Sequence, residues 1–235
     1  MLEPGHTRFV EELPKLETLI FYTEDDAADI QFDKLRNLRS LTLIESIDIN
    51  NLETFSNKNR LRNLFLIGCE VDDISPISAL ADLTGLGFFY CEGAVDLSKL
   101  QNLSRLRWFS FPPNVTQSGF SRFLSQHPKL DVVDLIGCEE IDDLSPLAGL
   151  AQIKGLSLDV AVEDVSPLYQ LTDLEVLILG EGSFDEEECE KLQAALPDTQ
   201  IVINSGGCLG SGWILLMIPI IAAGSLIIRL VRRKS

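Results

Sequence analysis

An apolar residue returns to the same slot of a short pattern nine times along this chain. Leu13, Leu16, Leu19 and Phe21 fit L-x-x-L-x-x-L-x-L, and so do Leu35, Leu38, Leu41 and Leu43. Leu61, Leu64 and Leu66 continue it, with Lys58 in the first slot, followed by Leu80, Leu83, Leu86 and Phe88. Leu100, Leu103, Leu106, Phe109 and Phe111 come next, then Leu130, Val133 and Leu135. Leu150, Ile153, Leu156 and Leu158 precede Leu171, Leu174, Leu177 and Leu179, and Ile201–Ile203 supplies a last apolar run. The slot before the final x-L falls at 19, 41, 64, 86, 109, 133, 156, 177 and 201, in steps of 21 to 24 residues. Alternation at the end of each unit predicts a short strand. One unit cannot bury its own leucines, so units of this kind must stack and share a core.

Within the units, "DISPISAL" (73–80), "DLSPLAGL" (143–150) and "DVSPLYQL" (164–171) repeat a Ser-Pro tail. Serine suits a helix N-cap and proline the first helical position, so a single 3₁₀ or α turn is expected there. With these tails the pattern resembles the leucine-rich repeat family, in its short class found in internalins and phosphatase-regulating repeat proteins. The resemblance covers about residues 9–204. It implies an α/β solenoid: a horseshoe with a parallel concave β-sheet and short 3₁₀ or α elements on the convex side. Two units depart from the short form. "TQSGFSRFLSQHPKL" (116–130) has the length and apolar spacing of a true helix around 118–126. "SFDEEECEKLQAALPDTQIVI" (183–203) opens with Ser183-x-x-Glu186, read as a capping box, and Pro197 ends its helix, which makes 183–204 the C-terminal cap. The N-terminus shows no comparable cap, so a truncated or incomplete chain is expected.

The third residue after the last strand slot is where this family usually carries an inward-pointing Asn, or a Cys or Thr. Here the column reads Glu24, Ser46, Cys69, Cys91, Asn114, Cys138, Ala161 and Gly182. Three of the five cysteines therefore read as buried structural thiols. Cys69 and Cys91 fall on adjacent coils at about one strand spacing, ~5 Å, but parallel Cβ directions disfavour a disulfide. Cys189 reads as packing on the cap helix. Without CxxC spacing, and with only His6 and His127 as histidines, no metal site and no cofactor are expected. The pairs Asp72–Asp73, Glu139–Glu140 and Asp142–Asp143 lack calcium-loop spacing and read as a solvated rim. Asn102-Leu-Ser104 and Asn114-Val-Thr116 are glycosylation sequons, and an inward Asn114 would resist modification.

Charge divides the chain. Four basic residues and no acidic one follow Cys208, so the formal charge of −17 becomes −21 over residues 1–207. Such a body repels phosphate backbones, which argues against nucleic-acid binding. The tail is different. From Leu209 to Ile228 no residue is charged, and twenty helical residues reach about 30 Å, one hydrocarbon core. Trp213 suits one interface, and Arg229, Arg232, Arg233 and Lys234 suit the other. The expected organisation is a repeat domain over 1–204, a Gly/Ser linker over 205–212, a single transmembrane helix over 213–231 and a basic tail over 232–235. Basic residues stay cytoplasmic, which places the repeats outside the cytoplasm. The first residues lack the apolar core of a signal peptide, so a tail-anchored cytosolic body is the alternative. Cys208, in the linker, is a candidate for lipidation or intermolecular pairing.

No catalytic constellation is present, since G-x-S-x-G, HExxH and P-loop patterns are all missing. The candidate site is instead the concave face. The column after the last strand slot reads Tyr22, Ile44, Ile67, Phe89, Pro112, Ile136, Asp159 and Gly180. The column between the strand slots reads Ile20, Thr42, Phe65, Gly87, Ser110, Asp134, Ser157 and Ile178, with Tyr90 and Trp108 flanking. An apolar surface of this kind marks an interaction site. Tyr22, Ile44, Phe65, Ile67, Phe89, Tyr90, Trp108 and Ile136 are its candidate partner-binding residues. The expected function is a non-enzymatic, membrane-anchored module that binds a protein or peptide on this face. Two other readings stand beside it. "GGCLGSGW", the apolar stretch and "RRKS" resemble the Gly-Gly C-terminal sorting signals of Gram-negative surface proteins, and the family also admits a regulatory subunit of an enzyme such as a phosphatase.

Overall fold

The computed structural model describes residues 13, 15–22, 34–44, 60–71, 73–93, 95–160, 162–180 and 182–204. They fall into two compact units, one up to Arg105 and one from Leu106 onward. The first holds four strands, β1 (Thr18–Tyr22), β2 (Ser40–Ile44), β3 (Asn63–Ile67) and β4 (Gly85–Phe89). Each pairs in parallel with the next, and Leu19, Leu41, Leu64 and Leu86 lie opposite one another across the rungs. The second unit holds five, β5 (Trp108–Ser110), β6 (Val132–Leu135), β7 (Gly155–Leu158), β8 (Val176–Gly180) and β9 (Gln200–Asn204). There Phe109, Val133, Leu156, Leu177 and Ile201 share one row. The repeat slot in the sequence is therefore the register row in each unit.

A backbone clasp sets that register. The carbonyl of Glu17 accepts from the N–H groups of both Arg39 and Ser40, and the carbonyl of Arg39 accepts in turn from Arg62 and Asn63. Arg107, Asp131 and Lys154 do the same in the second unit. Beneath the strands the leucine slots form the core, and Leu41, Leu43, Leu64, Leu66, Leu86, Leu135 and Leu158 are fully buried. At the final strand this changes, with Ile203 56% exposed and Val202 37%.

The convex side carries 3₁₀ turns at Ser75–Ala79, Leu97–Leu100, Ser145–Gly149 and Ser166–Gln170. Their capping differs from the expectation that Ser is the N-cap. Ser75, Ser145 and Ser166 are the first residues inside each turn, the N-cap positions Ile74, Leu144 and Val165 make no side-chain capping bond, and the carboxylates two positions before each serine take up its N–H. Asp73 accepts from the Ser75 N–H at 2.9 Å and its hydroxyl at 2.6 Å. Asp143 repeats both bonds with Ser145, and Asp164 accepts from the Ser166 N–H. A carboxylate serves here because its two charged oxygens accept from the serine N–H and hydroxyl at once. The Ser75 hydroxyl, the Ser75 N–H and Lys99 hold the Asp73 carboxyl down at about 2. Asp73 and Asp143 are thus structural, not an idle rim.

Two longer helices replace a 3₁₀ turn. Helix α1 (Gln117–Gln126), capped by Thr116, lies close to the range read from spacing. Its Phe123 stacks on Phe109 at 4.0 Å and on His127 at 4.1 Å, and His127 is buried with Nδ1 2.9 Å from the Phe123 carbonyl. Helix α2 (Glu186–Ala195) begins one cap later than expected. The capping box is Asp185 with Glu188, whereas the Ser183 hydroxyl donates to Asp159 at 3.0 Å. Asn114 also departs from expectation: it is exposed, and Val115 is the residue that turns inward. The Pro112-Pro113 pair delays this turn by one residue, so burial no longer shields that sequon. Among the described residues no helix is long and apolar enough to cross a membrane. The predicted spanning helix, its linker and Cys208 lie in 205–235, outside the described residues.

Candidate functional site

Three cysteines tie the rim of the sheet together. Cys69, Cys91 and Cys138 are buried thiols outside any disulfide. Each thiol points back to the preceding coil: Cys69 Sγ to the Leu43 carbonyl at 3.7 Å, Cys91 Sγ to Leu66 at 3.4 Å, and Cys138 Sγ to Pro112 at 3.6 Å. The hydrogen bond with Cys69, then burial, push the Cys91 thiol up, and burial does the same at Cys138. Thiols held protonated are poor nucleophiles and poor metal ligands. Cys189 on α2 is half-buried, and desolvation raises it too. Among the described residues no group of three or more His, Cys, Asp or Glu side chains is placed to hold a metal ion.

On the outer face of the first unit, the aromatic residues lie down instead of standing in solvent. Strand β4 reads Gly-Leu-Gly-Phe-Phe, which puts Gly85 and Gly87 on that face opposite Asn63 and Phe65 of β3. Phe65 covers the bare backbone: a Cβ at Gly87 would sit 3.1 Å from its Cδ1, and one at Gly85 would sit 3.3 Å from its Cζ. Phe89 leans over the same glycine, 2.6 Å from where a Gly87 Cβ would be, and the two ring centroids are 6.0 Å apart. Phe65 is fully buried and Phe89 only 8% exposed, so their expected role as open contact surface is corrected. The pair of glycines two apart in β4 was the legible signal, because bare backbone invites a neighbouring ring. Ile44 and Ile67, adjacent in register, are half-buried. The Tyr22 side chain lies outside the described residues.

Tyr90 follows directly on β4 and is the exposed aromatic side chain among the described residues, at 51%. Its backbone is left-handed, with φ 53°, the one such non-glycine described. Gly68 and Gly137 occupy the same position in their own coils, with φ 62° and 77°. A tyrosine there costs about 1–2 kcal/mol that glycine avoids. Just beyond, Glu70 and Glu92 form an isolated parallel bridge. The Glu92 N–H donates to the Cys69 carbonyl and the Val71 N–H to the Glu92 carbonyl, both at 3.0 Å. Neighbours Cys69, Val71 and Cys91 point in, and both glutamates are exposed.

The second unit presents a different face. Trp108, expected to flank an open surface, is only 6% exposed, and Ile136 is half-buried. Between them Ser110, Asp134 and Ser157 make a buried polar row. Asp134 Oδ2 accepts from the Ser110 hydroxyl at 2.6 Å, and Oδ1 accepts from the Ile136 N–H at 3.3 Å. Burial dominates these bonds and pushes its carboxyl up to about 7. The sequence showed an aspartate in a strand but not its burial.

Comparison with known proteins bears on the fold. No family model and no curated protein matches the sequence. Solved structures do. The crystal structure of internalin C2 from Listeria monocytogenes aligns over 74% of this chain and 74% of its own, with a TM-score of 0.54 and 21% identity. An internalin (inlF) of the same organism aligns over 77% of this chain and 66% of its own, with a TM-score of 0.50 and 23% identity. A leucine-rich repeat protein of Leptospira interrogans aligns over 82% of this chain and 50% of its own, with a TM-score of 0.48 and 15% identity. The likeness is one of fold: parallel strands, one per coil, in a leucine-rich repeat array.

Proposed function

We propose that the chain is a non-enzymatic, membrane-anchored recognition module that holds a protein or peptide on the outer face of its sheet. The observation that carries this reading is the pair Ile44 and Ile67, half-buried on adjacent rungs of the first unit, with exposed Tyr90 directly after Phe89, the residue opposite Ile67. Two half-buried isoleucines next to an exposed tyrosine held in a costly backbone conformation make an apolar patch of the kind a partner covers. The leucine-rich repeat fold supports the reading, since each coil adds one strand to an extended surface with few groups suited to chemistry. The apolar stretch from Leu209 to Ile228 supports the anchor, and the basic residues after it support a cytoplasmic C-terminus.

A photo-crosslinking residue at Ile67, with Gln101 on a convex turn as control, tests the face. A discrete adduct at Ile67 that Gln101 does not give supports it, and equal adducts at both positions sink it. Alkaline extraction tests the anchor: the full chain should stay with the membrane and a chain ending at residue 204 should be released. A second reading has its own support in Gly206-Gly207-Cys208 ahead of the apolar stretch, the pattern of a removable sorting signal. Intact mass of the protein from its native membrane separates the two, because processing removes the residues after the linker.

A further inference from the structure

We propose that the rim around Tyr90 selects a basic partner: a lysine or arginine side chain, carried next to aliphatic residues, docks against Tyr90, Glu70 and Glu92. This rests on the recognition reading above and names the chemistry of its partner. The first unit disposes of its other described acids internally. Glu17 pairs with Arg39, Asp73 with Lys99, and Asp82 with both Arg62 and Arg105. Asp96 caps the turn at Ser98. Glu70 and Glu92 stand apart from this pattern. They are exposed and sit side by side on one rung, about 5 Å apart at Cα, and among the described residues neither is in a salt bridge. Like charges facing each other across a rung destabilise a sheet. A cation between them removes that repulsion.

The aromatic part of the site is next to them in sequence. Tyr90 lies two residues before Glu92, in a conformation the equivalent positions give to glycine. A tyrosine face attracts ammonium and guanidinium groups, and a flanking carboxylate adds to the attraction. Ile67, opposite the residue that precedes Tyr90, and Ile44 on the next rung would take the aliphatic neighbours of the cation. Backbone bonds hold the rung: Gly68 N–H to the Phe89 carbonyl at 2.8 Å, and Glu92 N–H to the Cys69 carbonyl at 3.0 Å. The charge of −21 over residues 1–207 would steer a basic segment toward this surface from a distance.

The test uses the full chain in detergent and a random peptide library displayed on phage. Selected peptides should carry Lys or Arg beside aliphatic residues. Their affinity should fall about tenfold for Tyr90→Gly and for the double variant Glu70→Gln/Glu92→Gln. It should also fall as salt rises from about 0.1 M to about 1 M, which shortens the screening length from ~10 to ~3 Å. Tyr90→Gly relieves the backbone, so its thermal stability should be unchanged or higher while binding weakens. Basic peptides that bind the Glu70→Gln/Glu92→Gln variant as well as the parent would overturn the proposal. Neutral or acidic peptides, lost on Ile67→Ser but indifferent to both glutamates, would overturn it while leaving the recognition reading intact. A library that yields no peptide sensitive to Ile44→Ser or Ile67→Ser defeats both.

Discussion

Replacing Asp134 by asparagine should stabilise this protein, and only at the higher pH. The carboxyl is buried in the second unit, held by the Ser110 hydroxyl and the Ile136 N–H, yet burial still pushes it from 3.8 up to about 7. A rise of that size corresponds to about 4 kcal/mol between the two protonation states. The sign follows from proton binding. Between 3.8 and about 7 the folded state holds a proton that the unfolded state has released, so stability falls as pH rises through that window. Below 3.8 both states are protonated and the penalty vanishes, while above 7 it is present in full. Asparagine can accept from the Ile136 N–H through its one oxygen and donate through its amide to the Ser110 hydroxyl oxygen, and it carries no charge. Urea unfolding of parent and Asp134→Asn, followed by far-UV circular dichroism, should therefore differ by up to about 4 kcal/mol near pH 8 and by less than about 1 kcal/mol near pH 4. Groups away from Asp134 titrate alike in both proteins and cancel in the comparison, and the Cys138 thiol beside it stays protonated in the folded state at either pH. A difference that is the same at both pH values would refute the claim that a buried, hard-to-ionise carboxyl sits at this rung.

Phe65→Ala should cost about 3–5 kcal/mol in the same unfolding assay, because the ring is fully buried on its glycine floor, whereas an exposed ring would cost almost nothing. Asp73 has the opposite pH signature to Asp134: its carboxyl is held at about 2 against 3.8, so the stability it confers is complete above 3.8 and lost as pH falls toward 2. Acid titration by circular dichroism should show a smaller loss in that range for Asp73→Asn than for the parent. Alkylation of the native protein, read by peptide mass spectrometry, should label Cys189 well before Cys69, Cys91 or Cys138, and adding urea should open the last three together.

The coil architecture was legible because it is a one-dimensional property. Leu41, Leu64 and Leu86 recur at a fixed interval, and a residue's place in that interval decides whether it faces the core, whatever lies in the other coils. Cys69, Cys91 and Cys138 could be placed inward on the same ground, and the helix at 117–126 followed from local spacing and length. Caps were read less well. Ser75 and Ser183 suit a cap by residue type, but each hydroxyl instead donates to a carboxylate, Ser75 to Asp73 and Ser183 to Asp159, while Asp185 caps the second helix. Asn114 was misplaced because two prolines shifted one turn by a residue, which a fixed count of positions cannot register.

The outer face is where periodicity stops informing. Phe65, Phe89 and Trp108 alternate correctly to lie on it, yet all three are buried, and Asp134 is buried with them. Whether a side chain on that face stands up or lies down depends on the size of its neighbour on the next rung, some 22 residues away. Gly85 and Gly87 make room for two rings, and left-handed Tyr90 turns a third outward. By itself, the sequence determined the repeat, its register and its core, since inward positions are set by alternation along one strand. Only the tertiary structure decided which outward positions remain open to a partner, since exposure there depends on packing between strands.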